Sequence, residues 1–273
     1  MKSSQKKKFD FIFVIVTYRN AEDLFELDES LRKFVNNYKV IIVNNYMNDE
    51  TEKRIKEIAS LLKYDYIKSE NRGYGAGNNK GIDYAINNYK FDYLVVSNSD
   101  VVIKKFDIIN LPKNKAIIGP KITTLNGKLQ NPYWVKENKI AQKFIYLGLK
   151  NKSKVRLNIG QGFNKIIREV FLLFNKNKSN PIKTYAIHGA FVIFTEDVIR
   201  KLHPIYDENM FLYYEEALLA KKSKIKKINR YFFPNIQILH KEDGSTKGSN
   251  ISLNGYARNS FIYYYEQYYK KGS

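Results

Sequence analysis

The strongest constraint in this chain is the regular alternation of apolar strands and amphipathic helices over roughly its first 125 residues. Phe9 to Val16 (FDFIFVIV) reads as a strand, and Leu24, Leu27, Leu31, Phe34 and Val35 follow near helical spacing. Tyr38 to Val43 is a second strand, and Asp49 to Leu62 a second helix with Ile55, Ile58, Ala59 and Leu62 on one face. Tyr64 to Ile67 is a short third strand; Ile82, Ala85, Ile86 and Tyr89 then mark a helix leading into the apolar run Leu94, Val95, Val96. Such alternation implies parallel strands joined by right-handed crossovers, hence a doubly wound α/β sheet. Ligands of these sheets bind beyond the carboxyl ends of the strands. The Leu94–Val96 run stops at Ser97-Asn98-Ser99, with a carboxylate, Asp100, just past it. That placement suits a metal-bound diphosphate, because Mg²⁺ and Mn²⁺ accept carboxylate, phosphate and water oxygens. A strand-end Asp also serves as a cap or turn former.

Between the third strand and the next helix lies Glu70 to Gly81, ENRGYGAGNNKG. Its glycines either allow tight turns or let the backbone approach a nucleotide at a helix N-terminus. The second glycine is not followed by Lys-Ser or Lys-Thr, so this is no P-loop. The dinucleotide fingerprint belongs after the first strand rather than the third, which argues against an NAD-binding domain.

From Asn126 to Lys183 the alternation fades, and only Glu137 and Glu169 stand among many Lys and Arg. Phe163, Ile166, Ile167, Val170, Phe171 and Phe174 share one helical face, with Lys165, Arg168 and Lys176 around it. Two readings fit: a helix packed on the sheet, or a basic amphipathic element on an anionic membrane. Tyr185 to Thr195 (YAIHGAFVIFT) reads as a further buried strand and Tyr231 to Leu239 as the last, ending at His240. Gly244 to Gly248 is a flexible polar loop before a tyrosine-dense terminal helix, about Leu253 to Tyr269.

The formal net charge of +20 calls for an anionic partner, whether nucleic acid, phospholipid headgroups or phosphorylated substrates, unless a biased genome explains the lysines. With no cysteine, disulfides and thiolate zinc sites are excluded. No window approaches a membrane-spanning length, and the basic start runs directly into a strand rather than a signal-type apolar region.

The order of segments resembles the family 2 glycosyltransferases of the GT-A fold, and among them the bacterial rhamnosyltransferase-like branch. The resemblance runs from Val14 to about Tyr265, carried by VIVTYRN at 14–20, VNNYMND at 43–49, ENRGYGAGNNKGI at 70–82 and SNSD at 97–100. HGAFVIFT at 188–195, YDENMFLYYEE at 206–216, HKEDGST at 240–246 and YARNSF at 256–261 complete it. It implies a Rossmann-like, mostly parallel central sheet flanked by helices, with a C-terminal helical extension. Residues 1–125 would form the nucleotide-sugar-binding half, 126–252 the acceptor-binding half with a basic insertion, and 253–273 the terminal helix.

The resemblance further implies an inverting, metal-dependent transfer of a sugar, hexosyl or rhamnosyl, from a UDP- or dTDP-linked donor to a glycan hydroxyl. A lipid-linked acceptor, bacterial surface polysaccharide or capsule synthesis, and a cytoplasmic position at the inner face of the plasma membrane would follow. Asp100 falls on the last acid of the DXD-type metal motif, with Mg²⁺ or Mn²⁺ expected there. Asn98 stands where many members have the first Asp, Asn44 where an Asp reads the base, and Leu218 where another Asp often stands; Asn45 and Asp49 match. Thr17, Tyr18, Arg19, Asn71, Gly73, Gly77, Asn78 and Ser99 join the donor set. His188, Gly189 and Tyr214 are expected at the acceptor. Glu215-Glu216 matches the family's Glu-Asp pair, with Glu216 the general base and Glu215 orienting the acceptor or a backbone group. His240 would touch the metal or phosphate, or be structural. Arg258 and Asn259 would hold the diphosphate or pin the terminal helix.

The chemistry independently asks for these residue types. An inverting transfer needs a base opposite the departing phosphate, and two adjacent acids repel, raising one pKa. The sugar carbon passes through an oxocarbenium-like state while the diphosphate gathers charge. Two other readings compete: a nucleic-acid-binding protein, which would not need ordered acids at 100 and 215–216, and a catalytically silent relative, suggested by Asn44, Asn98 and Leu218.

Overall fold

The computed structural model describes residues 6–19, 21–175, 178–242 and 253–270. The Gly244–Gly248 loop, Asn20 and Lys176 lie outside the described residues. The expected alternation is present: β1 (Lys8–Thr17), α1 (Asp23–Phe34), β2 (Tyr38–Asn45), α2 (Asp49–Leu61), β3 (Asp65–Ser69), α3 (Tyr74–Asn88) and β4 (Lys90–Ser97). Local chemistry sets its boundaries; the Asn48 side chain, for example, accepts from the Thr51 N–H at 2.9 Å and caps α2.

Beyond β4 come β5 (Val101–Phe106), β6 (Ala116–Thr124), α4 (Lys139–Lys150), α5 (Lys154–Asn175), β7 (Ile182–Lys183), β8 (Phe191–Thr195) and α6 (Glu196–Leu202). The chain continues through α7 (Glu215–Ile225), β9 (Asn229–His240) and α8 (Leu253–Tyr265), which runs into a π-helical turn, Glu266–Lys270. The sheet order is β3-β2-β1-β4-β8-β6-β9-β5, with β7 also on β9. The left half, β3 to β4, is parallel, as is the β6–β9 pair. Strand β8 runs antiparallel between β4 and β6, and β5 and β7 run antiparallel to β9. The architecture is thus the expected mostly parallel α/β sheet flanked by helices.

Alternation along β1 explains the layering. Phe11, Phe13 and Ile15 face the core that α1 and α2 close with Leu24, Leu27, Leu31 and Ile55. Ile12 and Val14 face the other core with Ile82, Ala85 and Val198. A third cluster, aromatic in character, gathers Trp134, Tyr146, Tyr185, Phe261 and Tyr264. Helix α3 sits tight on the sheet because Gly81 has no side chain: a Cβ there would come within 2.3 Å of Val14 Cγ1.

Three expectations need correction. The Tyr185–Thr195 stretch is not one strand; β8 begins only at Phe191, and residues 185–190 form an irregular wall joined to Trp134 by a bridge at Ala186. The glycine segment is not a free loop, since Gly75, Gly77 and Gly81 lie inside α3. Helix α5 does not pack on the sheet but on α4. Among the described residues no helix is long and apolar enough to cross a membrane.

Candidate active site

The carboxyl ends of β1, β2, β4 and β9 and the approach to β8 meet at one edge of the sheet, around a cavity of about 390 Å³. Its wall includes Tyr18 after β1, Asn45 at the end of β2, and Asn71, Gly73 and Tyr74 at the start of α3. Asn98, Ser99 and Asp100 come from the end of β4, and His188 and Gly189 from the approach to β8. Glu215 and Glu216 open α7, and His240 closes β9. The three acids, distant in sequence, therefore share one cavity.

Strand pairing sets Asp100 beside His240. Val101 at the start of β5 is opposite His240 in the β5–β9 ladder, and the Lys241 N–H donates to the Asp100 carbonyl at 2.9 Å. His240 Nε2 then lies 3.3 Å from Asp100 Oδ1. The orientation of the imidazole follows from its other neighbours. Gln130 Nε2 donates to Glu242 Oε1 at 2.8 Å, which turns the amide oxygen of Gln130 toward His240 Nδ1, also at 2.8 Å. Nδ1 must therefore carry the proton in the neutral ring, leaving the Nε2 lone pair facing Asp100. Asn98 agrees: its Oδ1 accepts from the Tyr74 hydroxyl at 3.1 Å, so its Nδ2, 3.3 Å from His240 Nε2, is a donor. A neutral imidazole nitrogen beside a carboxylate is a fitting donor pair for a divalent cation whose other ligands are phosphate and water oxygens. Among the described residues no group of three or more such side chains forms.

The opposite wall holds the two glutamates. Tyr213 and Tyr214, immediately before α7, both adopt left-handed backbone with φ of 71° and 65°. Side chains rarely occupy that region without a surrounding structure that enforces it, and about 1–3 kcal/mol of strain per residue is typical. This turn delivers Glu215 and Glu216 into the cavity at the helix N-terminus. Glu216 Oε1 accepts from the Gly189 N–H at 3.1 Å. Burial raises the pKa of both carboxyls, and the charge of Glu216 adds to the effect on Glu215, pushing it to about 8. Glu215 Oε1 is buried without a hydrogen-bond partner. Two buried carboxyls this close resist ionising together, and Glu215 is the one kept protonated near neutral pH. The Tyr74 hydroxyl feels both glutamates and Asp100 at once; burial first and these charges next raise its pKa.

His188 is neutral. Burial above all, then the charges of His240, Lys128 and Arg168, lower its pKa to about 3. Its Nδ1 accepts from the Ala190 N–H at 3.2 Å, and the backbone N–H of His188 donates to Asn131 Oδ1 at 2.7 Å.

Several expected site residues stand elsewhere. Thr17 is buried beneath the cavity floor, 3.5 Å from the Val43 carbonyl. Asn44 is buried and donates to the Tyr66 hydroxyl at 3.0 Å. Arg19, with φ of 72°, lies over the Tyr18 ring rather than on the cavity wall. Gly77 serves helix packing, since a Cβ would meet Asn45 Oδ1 at 2.8 Å, and Asn78 bonds to the Tyr74 carbonyl within α3. Tyr214 packs edge-on against Phe261. Arg258 reaches the carbonyls of Leu149 and Lys150 at 2.8 and 3.4 Å, so its guanidinium pins α8 to the end of α4. Gly73 does line the cavity, but its φ of 104° and the Phe211 carbonyl, 2.3 Å from where a Cβ would sit, give the glycine a packing reason as well. Sequence reasoning missed Tyr74, Gln130 and Glu242. Tyr74 lay inside the glycine motif and Glu242 inside HKEDGST at 240–246, but an isolated Gln in irregular chain carries no local signal.

Comparisons with known proteins bear on the family and the fold. Residues 12–111 match the family model described as glycosyl transferase family 2. Over 226 residues the chain is 25% identical to the low-salt glycan biosynthesis hexosyltransferase Agl10 of Haloferax volcanii, covering 81% of this chain and 63% of Agl10. The chain thus spans somewhat less than two thirds of that relative. Its fold is similar to GalNAc-T7, solved with UDP, GalNAc and Mn²⁺, at a TM-score of 0.66 and 10% identity over 96% of this chain and 49% of that one. It is also similar to S. aureus TarS 1-349, at a TM-score of 0.55 and 11% identity over 96% and 73% of the two chains. The complex of TarS 1-349 with UDP matches at a TM-score of 0.52 and 13% identity, over 84% and 60%. The fold is therefore GT-A-like, and residues 12–111, which take in most of β1 and all of β2 to β5, match glycosyl transferase family 2.

Proposed function

We propose that this chain is an inverting glycosyltransferase that moves a sugar from a UDP- or dTDP-linked donor to a hydroxyl of a glycan acceptor. The observation that carries this reading is the convergence of Asp100 and His240 on one wall, and Glu215 and Glu216 on another, of a single cavity at the carboxyl edge of the sheet. The relatives support it: one is named a hexosyltransferase of glycan biosynthesis, and two were solved with UDP. Residues 1–125 would supply the donor-binding half and 126–252 the acceptor side. A lipid-linked acceptor, a rhamnosyl rather than another hexosyl donor, and bacterial surface polysaccharide or capsule as the product are the finer parts of the proposal.

Asp100 Oδ1 and His240 Nε2 are the residues that would hold Mg²⁺ or Mn²⁺, and the similar GalNAc-T7 was solved with Mn²⁺. Such an ion would neutralise charge gathering on the departing diphosphate. Glu216, whose ionised form the Gly189 N–H favours, takes the proton from the acceptor hydroxyl as it attacks the anomeric carbon. Glu215, protonated, can donate a hydrogen bond to the sugar or acceptor without adding charge next to the base. His188, held neutral, lines the same cavity and adds no positive charge of its own beside the carboxylates. The fully buried floor beneath keeps bulk water from that side.

Incubation with a panel of UDP-, dTDP- and GDP-sugars and Mn²⁺ or Mg²⁺ tests the proposal through donor hydrolysis. Glu216→Gln should abolish transfer and hydrolysis while donor binding, read by calorimetry, is retained. Full turnover by that variant would remove Glu216 from the base role; no binding of any nucleotide sugar would refute the donor class.

A further inference from the structure

The long helix α5 is nearly unpartnered on one side. Val155, Ile159, Phe163, Ile166, Val170 and Leu173 recur every three or four residues and so form a single stripe along it. None is covered: Val155 is 69% exposed, Ile166 65% and Leu173 76%, with Phe174 at 80% beside them. The opposite face is used to grip α4. A Cβ on Gly160 would come within 2.6 Å of the Ala141 carbonyl, and one on Gly148 within 2.6 Å of Leu157 N, so the two backbones meet closely at these glycines. Because α5 rests on α4 by that face, the apolar stripe has no place in the fold's own core. An apolar strip of this length on a monomer marks a contact surface.

Charge selects the partner. Between Lys139 and Asn175 the chain carries eight Lys or Arg and one acid, Glu169. Lys139, Lys143, Lys152, Lys154, Arg156 and Lys165 are all exposed. A protein partner of ordinary composition needs no such excess, whereas a sheet of anionic headgroups over hydrocarbon complements both the cations and the stripe. We infer that the α4–α5 hairpin docks on an anionic lipid surface, with α5 lying in the plane of the headgroups and its Val155–Phe174 stripe in the acyl boundary.

The hairpin is also tied to the catalytic cavity. Arg168 on α5 donates through Nε to the Pro132 carbonyl at 2.9 Å and through Nη2 to the Leu129 carbonyl. Between these two lie Gln130, which holds His240, and Asn131, which holds the backbone of His188. Docking therefore sets the cavity wall at a fixed position above the lipid, where an acceptor carried on a lipid would be presented. The docking surface itself stands apart from the catalytic reading.

Co-sedimentation of the full chain with vesicles tests it without any sugar donor. Vesicles of phosphatidylcholine and phosphatidylglycerol in equal parts should bind the protein, and phosphatidylcholine vesicles should bind it far more weakly. Leu173→Ser with Phe174→Ser should weaken partition at least tenfold, since each buried apolar side chain contributes about that much or more. Lys154→Gln and Lys165→Gln should weaken it about fivefold each. Thermal melts of these surface variants should match the parent, and Ile166→Ser with Val170→Ser gives an independent pair from the same stripe. Absence of binding to anionic vesicles, or binding at the parent's level by both apolar double variants, would overturn the inference. So would a dimer, seen by light scattering without lipid, that Leu173→Ser with Phe174→Ser dissolves. Donor hydrolysis in lipid-free solution reports on the cavity separately, so failure of either reading is recognisable on its own.

Discussion

Gly189→Ala tests the placement of the catalytic base with a single methyl group. The Cβ it adds would lie 2.9 Å from Glu216 Oε1 and 3.4 Å from Glu216 Cδ. Ordinary contact requires the carboxylate oxygen to retreat by about 0.5 Å, which breaks the 3.1 Å bond from the Gly189 N–H. Gly189 has no positive φ, so its backbone accepts alanine and the fold should be unaffected. A hydrogen bond to a charged group contributes about 1.5–3 kcal/mol, and it favours the ionised form. Its loss has two consequences. The base moves away from the attacking hydroxyl, where misplacement on the ångström scale costs up to about 100-fold in rate. Its pKa also rises further, so Glu216 ionises only at higher pH. The assay is steady-state transfer from roughly pH 5 to 9, with donor affinity read by calorimetry. Expected are a kcat about 10- to 100-fold lower, unchanged donor affinity, and an acid limb displaced to higher pH. A kcat within about twofold of the parent, with the acid limb in place, would refute the role of Glu216 and of its Gly189 support.

Four further substitutions probe the surroundings. Gln130→Leu should weaken Mn²⁺ binding in the presence of UDP by about 10- to 100-fold in calorimetry, because His240 loses the partner that fixes its tautomer; unchanged affinity would show that the ring is held without it. Glu137 accepts from Lys221 at 2.7 Å and also from Lys224 and Tyr269; burial alone would raise its pKa, but these bonds override it and lower the value to about 2. Its folded pKa lies below the unfolded one, so its contribution is full above the unfolded value and is lost as pH falls toward 2. Glu137→Gln should accordingly cost about 2–3 kcal/mol at neutral pH, discounted for the exposed Lys224, and nothing at the acid end; a constant deficit across the denaturant titrations would contradict this. Gly160→Val should destabilise by about 1–3 kcal/mol because the α4–α5 approach leaves no room. Gly162→Ala, with nothing within 4 Å of its Cβ, should instead stabilise by about 0.5–1 kcal/mol; melts in the reverse order would refute the packing account.

The left half of the sheet was legible because β1, β2 and β3 each lead directly into a helix and β4 directly follows one, so apolar spacing over a few residues carries the whole signal. The right half was not. VVIKKF at 101–106 and AIIGPKITT at 116–124 are strands because of distant partners: β9 pairs with both, across more than a hundred residues, and β8 pairs with β6. At the site, Asp100, Glu215, Glu216 and His240 were identified from strand ends and motif order, and the structure brings them together. The glycines misled in part: Gly75, Gly77 and Gly81 fit α3 to the sheet, a demand that looks the same in sequence as a ligand-binding turn. Arg258 matched a motif yet spends its guanidinium on two carbonyls, and no spacing rule reveals that. Gln130 escaped notice because its importance comes from Glu242 and His240, both far along the chain.

The position of β9 has a consequence for how the molecule comes into being. β5 has β9 as its ladder partner, and β6 pairs with β9 along most of its length. While a ribosome makes residues 125 to 228, both strands emerge with an open edge that nothing yet made can close. The parallel half can meanwhile assemble around β1 from the first hundred residues. Synthesis of Asn229 to His240 then closes the sheet and, with its last residue, sets the histidine beside Asp100. A nascent chain stalled before that point would combine a formed parallel half with sticky, unmatched strands, so this stage should be the one that most needs a chaperone.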